Sequence, residues 1–137
     1  MVRVEPYLYF QGRCEEALNY YRDAIAADAM VVARFGDIPG SPSPPAAAGK
    51  VAHAVLRIGD TVVLASDGPV QGQPQFAGFS LSLTASDDAQ AEKLFAALGD
   101  GGQIQVPMAA TPFASRLGIL TDRFGVPWMV TTQSGTA

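Results

Sequence analysis

The sequence predicts an α+β fold, in which one β-α-β-β-β unit is used twice and the paired units form a half-barrel cup. Two segments carry apolar residues at helical spacing, and each follows a segment rich in β-forming residues. Three further strand-like segments come after each helix. The last two strands of each half are joined by a short connection with a glycine, Gly59 in one half and Gly125 in the other. This matching order indicates a duplicated unit.

The first unit is predicted to span residues 1–70. Its four strands are expected at residues 2–10, 30–35, 51–58 and 61–66. Its helix lies in CEEALNYYRDAIA, where one face carries three apolar side chains, Leu18, Tyr21 and Ile25. Gly59-Asp60 is expected to be a two-residue hairpin turn, because glycine supplies the positive φ. Residues 36–49 hold four prolines without periodicity and are predicted to be a long loop.

The second unit is predicted to span residues 75–137. The two units together are predicted to form a single domain over residues 1–137. Its strands are expected at residues 79–84, 104–108, 116–121 and 127–132. Its helix has one apolar face, formed by Ala91, Leu94, Phe95 and Leu98. Asp87 with Gln90 three residues later resembles a capping box at the start of this helix.

Composition limits the partners of the chain. A net charge of -4 without a run of Lys or Arg argues against nucleic acid, because phosphate binding needs a concentrated basic face. No apolar stretch reaches the length of a membrane span, and the first residues lack the layout of a signal peptide. The single cysteine, Cys14, fits a reducing compartment. We therefore expect a cytoplasmic protein that binds neither nucleic acid nor membranes.

Four segments resemble a known family in order and spacing: PYLYFQGRCEEALNYY, HAVLRIGDTVVLASD, GFSLSL and TDRFGVPWMV. They are similar to the PhnB-like branch of the glyoxalase, bleomycin-resistance and dioxygenase (vicinal oxygen chelate) superfamily. The resemblance implies paired modules, a homodimer and a cavity that often holds a divalent metal. Some PhnB-like sequences carry a ubiquinone-methyltransferase label, but this sequence shows no nucleotide-binding glycine loop after a strand.

The resemblance also locates the four positions that bind metal in the metal-dependent glyoxalases. Carried over one at a time, they fall at or next to Pro6, and at Leu64, Phe79 and Met129. None of these side chains is an imidazole, carboxylate or thiolate donor. A slip of one residue offers Glu5 as the single plausible ligand. The sequence therefore predicts that the inherited metal is absent and that no cofactor is bound.

His53 is the single histidine of the chain and the main polar candidate. The hairpin register places it opposite Ser66, on one face with Arg57 and Leu64. Because Leu64 takes a former ligand position, we expect this face to be concave. His53 and Ser66 are the candidate catalytic pair, against the alternative of a histidine that only fills polar space. Arg57 is a candidate for a ligand carboxylate or phosphate, against the alternative of a solvated rim residue.

The rest of the expected ligand cavity is apolar. If Pro6 faces the cavity, alternation along the first strand places Leu8 and Phe10 there, and turns Tyr7 and Tyr9 towards the helix. Further lining residues are predicted in the second unit, namely Phe79, Leu81, Phe113 and Met129. Trp128 is expected in the core. Asp67 is expected to cap a turn or to pair with His53. Cys14 is expected to be a structural thiol, not a nucleophile.

Three function classes follow from these observations. The first is a homodimeric protein that binds a small, mostly apolar organic ligand in the cavity, without the inherited metal. The second is a metal-dependent isomerase, lyase or dioxygenase whose ligands have moved, for instance to His53 and Glu5. The third is a sequestering protein of the bleomycin-resistance type, in which acidic clefts of a dimer hold a cationic drug.

Overall fold

A computed structural model describes residues 2–40, 47–68 and 73–132. The chain divides into two compact units, Met1–Pro74 and Gln75–Ala137. Over its described residues, each unit has one four-stranded sheet and one α-helix, in the order β-α-β-β-β. The predicted α+β class and the repeated unit are confirmed. No helix of the described residues is long and apolar enough to span a membrane.

The first unit has its strands in the order β1-β4-β3-β2. Its elements are β1 (Tyr7–Tyr9), α1 (Cys14–Ile25), β2 (Asp28–Arg34), β3 (Val51–Ile58) and β4 (Thr61–Ser66). β1 runs parallel to β4, and the other pairs are antiparallel. A short 3-10 turn at Phe35–Asp37 starts the predicted loop, of which residues 41–46 lie outside the described part. β1 is shorter than predicted, because residues 2–6 and Phe10 lie outside the strand.

The β3–β4 hairpin has the predicted register. Ala54 is paired with Ala65, and the pairing continues residue by residue to Ile58 and Thr61. Gly59 has a φ of 59°, a left-handed conformation that glycine adopts without steric cost. The turn at Gly59-Asp60 therefore fixes which side chains of β3 and β4 share a face.

The second unit repeats this topology with strand order β5-β8-β7-β6. Its elements are β5 (Leu81–Ala85), α2 (Asp88–Gly99), β6 (Gln103–Thr111), β7 (Ala114–Thr121) and β8 (Pro127–Thr132). Asp87 caps α2 as predicted, because its Oδ1 accepts the N–H of Gln90 at 2.8 Å. β6 is longer than predicted, since the turn after it is tight and held by the hydroxyl of Thr111, which accepts the N–H of Ala114.

In the first unit, α1 packs on one face of the sheet. The side chains of this face are buried and come from β1, β3 and β4 and from the residue just after β1: Leu8, Phe10, Ala54, Leu56, Val63 and Ala65. They meet Leu18 and Tyr21 of α1, and the rings of Phe10 and Tyr21 lie 6.4 Å apart. We call the opposite side of this sheet the helix-free face. It carries Tyr7, Tyr9, His53, Val55, Arg57 and Leu64.

Candidate functional site

The orientation of β1 differs from the prediction. Tyr7 is the parallel partner of Leu64, and parallel partners point to the same side of a sheet, so Tyr7 lies on the helix-free face. Leu8 and Phe10 are instead 4% and 0% exposed beneath α1. Their predicted place in a ligand cavity is therefore wrong. The physical reason is that Leu8 and Phe10 have no polar atoms to satisfy in the core, whereas a tyrosine hydroxyl needs a partner or water.

Tyr7, Tyr9 and His53 form an aromatic cluster on the helix-free face. The hydroxyl oxygen of Tyr7 lies 2.9 Å from Nδ1 of His53, a hydrogen-bond distance. The rings of Tyr7 and Tyr9 are stacked, with centroids 5.0 Å apart and planes inclined by 21°. His53 is half-buried, and Leu64 and Val55 are half-buried beside it on the same face. The partner of His53 is thus Tyr7, which the sequence had assigned to the other face.

Ser66 does not serve as the partner of His53 predicted from the hairpin. It is 3% exposed, and its hydroxyl donates to the carbonyl of Val51 at 3.2 Å and accepts the N–H of Gly68 at 2.9 Å. The N–H of Asp67 also donates to the carbonyl of Val51. This bond is one residue out of step with the hairpin register, so the strands bulge where His53 and Ser66 would have faced each other. The predicted His53–Ser66 pair is therefore wrong. The hydroxyl of Ser66 instead stabilises the end of β4 through its hydrogen bonds to the backbone.

Asp67 is also bound into the backbone rather than paired with His53 or capping the turn after it. Its Oδ1 accepts the N–H groups of Gly12 at 2.9 Å and Cys14 at 2.7 Å, and its Oδ2 accepts that of Val51 at 2.7 Å. The buried carboxylate therefore joins the start of α1 to the start of β3. A negative charge at the N-terminus of a helix is also favoured by the helix dipole.

Arg57 and Leu64 lie on the face that the hairpin register assigned to them. Arg57 is exposed near the turn, and its partner on β2 is Asp28. Leu64 is half-buried between Tyr7 and Val55, its partners on the two neighbouring strands. The ligand-binding roles of both residues stay predictions.

The second unit carries a different set of side chains on its own helix-free face. Met129 is half-buried there, with Ser82 and Ile119 as its partners. Trp128 is 2% exposed on the α2 side, and its indole N–H donates to Oδ2 of Asp122 at 2.9 Å. Trp128 is a core residue, as expected. Leu81 is the partner of Trp128, so its predicted place on the cavity side is wrong.

The two units can be compared strand by strand. In the first, Tyr7 of β1 pairs with Leu64 of β4, and in the second, Ser82 of β5 pairs with Met129 of β8. Ser82 thus lies where Phe79 was predicted. Phe79 instead precedes β5, is 41% exposed and packs edge-on against Phe76 at 6.5 Å. Its predicted role as a lining residue of the strand is not supported by this position.

Phe113 lies in the turn between β6 and β7 and is 65% exposed. Its N–H donates to the hydroxyl of Thr111, so the side chain of Thr111 holds the turn. The aromatic side chain projects from a well-defined turn, and its contact with a ligand stays a prediction.

The donor set does not fit a divalent metal at the inherited positions. Strand pairing replaces Pro6 and Phe79 by Tyr7 and Ser82, opposite Leu64 and Met129. Burial, then the negative forms of Tyr9 and Cys14, raise the pKa of Tyr7, which keeps its phenol protonated and disfavours ligation. Over residues 2–40, 47–68 and 73–132, no three His, Cys, Asp or Glu side chains lie close enough together to hold a metal ion.

Two polar groups elsewhere in the first unit have structural roles. Cys14 is fully buried, and burial, together with Asp67 and Glu15, raises the pKa of its thiol to about 12. A thiol that stays protonated at neutral pH is a poor nucleophile. Glu15 forms an ion pair with Arg34 at 2.7 Å, which lowers the pKa of that carboxyl through a hydrogen bond.

A pocket of about 260 Å³ lies at the start of α1 in the first unit. It is lined by Gly12, Glu15, Gly49, Lys50, Val51 and Asp67. Lys50 donates from Nζ to the carbonyl of Gly12 at 3.0 Å, and the carboxylate of Asp67 accepts three N–H groups. The polar groups of this pocket thus bind one another, and it serves as the junction between α1 and β3.

Solved structures with the same fold define the class of protein. The chain superposes on the fosfomycin resistance protein FosX of Listeria monocytogenes with a TM-score of 0.66 at 9% identity, over 98% of this chain and 95% of that one. It superposes on a glyoxylase/bleomycin resistance protein/dioxygenase domain from Frankia with a TM-score of 0.66 at 14% identity, over 100% and 96%. These likenesses concern the fold alone. They confirm the glyoxalase and bleomycin-resistance fold.

Closer relatives define the family. The sequence model described as 3-demethylubiquinone-9 3-methyltransferase matches residues 2–131, and the chain belongs to that family. It is 32% identical to the protein YjdN of Escherichia coli, over 93% of this chain and 92% of that one. The structure of PA1353 from Pseudomonas aeruginosa shares 38% identity over 97% and 98%, with a TM-score of 0.84. That of the PhnB protein of Bacillus cereus shares 26% over 96% and 99%, with a TM-score of 0.80. The PhnB-like resemblance is confirmed.

Proposed function

We propose that this protein binds a small, mostly apolar organic molecule on the helix-free face of its first unit, without the metal of the metal-dependent glyoxalases. The observation that carries the proposal is the Tyr7–His53 hydrogen bond of 2.9 Å beside half-buried Leu64. Small-molecule sites combine an apolar lining with a few placed polar groups. This face has both, since stacked tyrosine rings and aliphatic side chains surround one polar pair.

The side chains of the face favour a ligand with an aromatic or otherwise flat apolar body. Tyr7 and Tyr9 are 36% and 49% exposed and present their stacked rings at the edge strand of the sheet. Offset stacking on such rings contributes about 0.5–1.5 kcal/mol beyond the burial of area. Leu64 and Val55 extend the apolar surface towards the middle strands.

The metal-dependent alternative has little support from the donors. It needs His53 and Glu5 as relocated ligands, but Nδ1 of His53 lies against the hydroxyl of Tyr7, and Glu5 pairs with Arg3 at 3.2 Å. The drug-sequestering alternative rests on the shared fold alone. The family description names a methyl transfer reaction. The side chains of the described residues add no support for that reaction.

The proposal extends to a homodimer of single-domain chains in the cytoplasm, with Phe113 as a further contact to the ligand. The buried, protonated thiol of Cys14 is compatible with a reducing compartment. Sedimentation equilibrium measures the assembly directly. A chain that stays monomeric at high micromolar concentration contradicts the dimer.

Leu64→Glu is expected to weaken the binding of acetophenone, a neutral aromatic ketone, by at least about tenfold, because a carboxylate replaces apolar contact area in the middle of the face. Calorimetric titration of the two proteins measures the change. The matched control is Ile104→Glu, at an apolar β6 position that is 55% exposed, where affinity should stay unchanged. Equal affinity in the Leu64→Glu protein, or lost affinity after treatment with a chelator, would contradict the proposal.

A further inference from the structure

We infer that the ligand of the helix-free face is a neutral, planar carbonyl compound whose oxygen accepts a hydrogen bond from the Nε2–H of His53. The inference deepens the proposed function and rests on it. It follows from the direction of the Tyr7–His53 hydrogen bond, from the side of the imidazole left for a ligand, and from the balance of charges on the face.

The direction of the hydrogen bond sets the tautomer of His53. A neutral imidazole has one nitrogen that donates and one that accepts. A phenol O–H is a good donor and its oxygen a weak acceptor, whereas an unprotonated imidazole nitrogen accepts strongly. The raised pKa of Tyr7, due first to burial, keeps the hydroxyl proton in place. Tyr7 therefore donates to Nδ1, and the imidazole proton lies on Nε2.

The second imidazole nitrogen is available to a ligand. Nε2 lies across the ring from Nδ1, so it points away from the hydroxyl of Tyr7. Within the described part of the chain, His53 makes a hydrogen bond at Nδ1 and a ring contact with Tyr7 at 5.7 Å. The face thus offers one fixed N–H donor, which is complementary to a carbonyl oxygen.

The charges around the cluster favour a neutral ligand. Arg57 lies on this face, and its backbone partner on β2 is Asp28, so two side chains of opposite charge lie on the same side of adjacent strands. At the edge, Arg3 and Glu5 form an ion pair at 3.2 Å. Both arginines thus have a carboxylate residue near them, which reduces the electrostatic gain for a charged ligand. The stacked rings of Tyr7 and Tyr9 add a flat surface, which a planar ligand matches.

The imidazole nitrogen spectrum of the intact protein tests the inference. His53 is the single histidine, so the two imidazole ¹⁵N signals need no assignment to a residue, only to Nδ1 or Nε2. The expected spectrum shows an unprotonated Nδ1 and a protonated Nε2. Added acetophenone is expected to shift the Nε2 signal and to bind at least about fivefold more tightly than benzoate or benzylammonium, which share its ring but carry a charge.

One variant and its control isolate the role of the Tyr7 hydroxyl. Tyr7→Phe is expected to weaken the preference for the Nε2–H tautomer, because Nδ1 loses its donor, and to weaken acetophenone binding about fivefold. The matched control is Tyr20→Phe, which removes a phenol hydroxyl from α1, on the other side of the sheet, so the spectrum and the affinity should not change. A protonated Nδ1, or equal affinity for a charged probe, would overturn the inference. If acetophenone binds without moving Nε2, the carbonyl contact is wrong and the apolar site stands. If no probe binds, the proposed function fails as well.

Discussion

Asp67→Ala is expected to lower the free energy of unfolding by roughly 3–5 kcal/mol. The carboxylate accepts three backbone N–H groups, from Gly12, Cys14 and Val51, at 2.7 to 2.9 Å. Two of these hydrogen bonds are buried, and alanine leaves their donors without an acceptor. A buried N–H without a partner costs about 1–3 kcal/mol. Because the three donors belong to the start of α1 and the start of β3, their loss loosens the first unit at its core.

Urea unfolding followed by circular dichroism measures this loss. The matched control is Asp23→Ala, which removes an exposed carboxylate of α1 and should change stability by less than about 0.5 kcal/mol. A loss below about 1 kcal/mol in the Asp67→Ala protein would contradict the anchoring role. The comparison distinguishes a buried acceptor from a general effect of charge.

Gly102→Ala is expected to lower the free energy of unfolding by roughly 2–3 kcal/mol. A Cβ at this position would meet the carbonyl oxygen of Thr121 in a severe clash, and would lie 2.9 Å from both Cα and the carbonyl carbon of Asp122. These are backbone atoms, which cannot rotate away as a side chain can. The start of β6 must therefore move away from the end of β7, where Gln103 is paired with Thr121.

The fluorescence of Trp128 during urea unfolding reports on this change, since its indole N–H is held by Asp122. Gly99→Ala is the control in the same connection, because its Cβ would meet the side chains of Ile104 and Leu120 at an ordinary 3.7 Å. That variant should stay within about 1 kcal/mol of the original protein. Equal stability of the two variants would show that the backbone at residue 102 can shift freely.

Local patterns predicted most of the fold. The β3–β4 hairpin was predictable from the turn to the Ala54–Ala65 pair, because a two-residue turn at Gly59-Asp60 fixes the register of the residues that flank it. The same register placed His53 and Leu64 on one face, which the structure bears out. The start of α2 was predictable from Asp87, whose cap depends only on residues within one turn.

The parts that failed depend on contacts between distant segments. The orientation of β1 is decided by its parallel pairing with β4, and both alternating sets of β1 are apolar or aromatic, so periodicity did not distinguish Leu8 from Tyr7. The bulge that removes Ser66 from His53 arises where Asp67 is drawn to α1. No pattern near Ser66 signals that distant attachment.

The same limit applies to the second unit. Phe79 was predicted on the cavity side because it starts an alternating run, but β5 begins at Leu81 and pairs with β8 so that Ser82 is the partner of Met129. Aligning the first strand of each repeat with its last strand would have identified Tyr7 as the partner of Leu64 and Ser82 as the partner of Met129. That comparison needs the parallel pairing, which a single sequence does not display.

Methyl chemical shifts during an acetophenone titration locate the ligand on the protein, because Leu64 lies on the helix-free face of the first unit and Leu56, 1% exposed, lies beneath α1. If the helix-free face is the ligand site, we expect saturable shifts of the Leu64 methyls with little change at Leu56. Saturable shifts confined to other residues, with the Leu64 methyls unmoved, would contradict this location of the ligand.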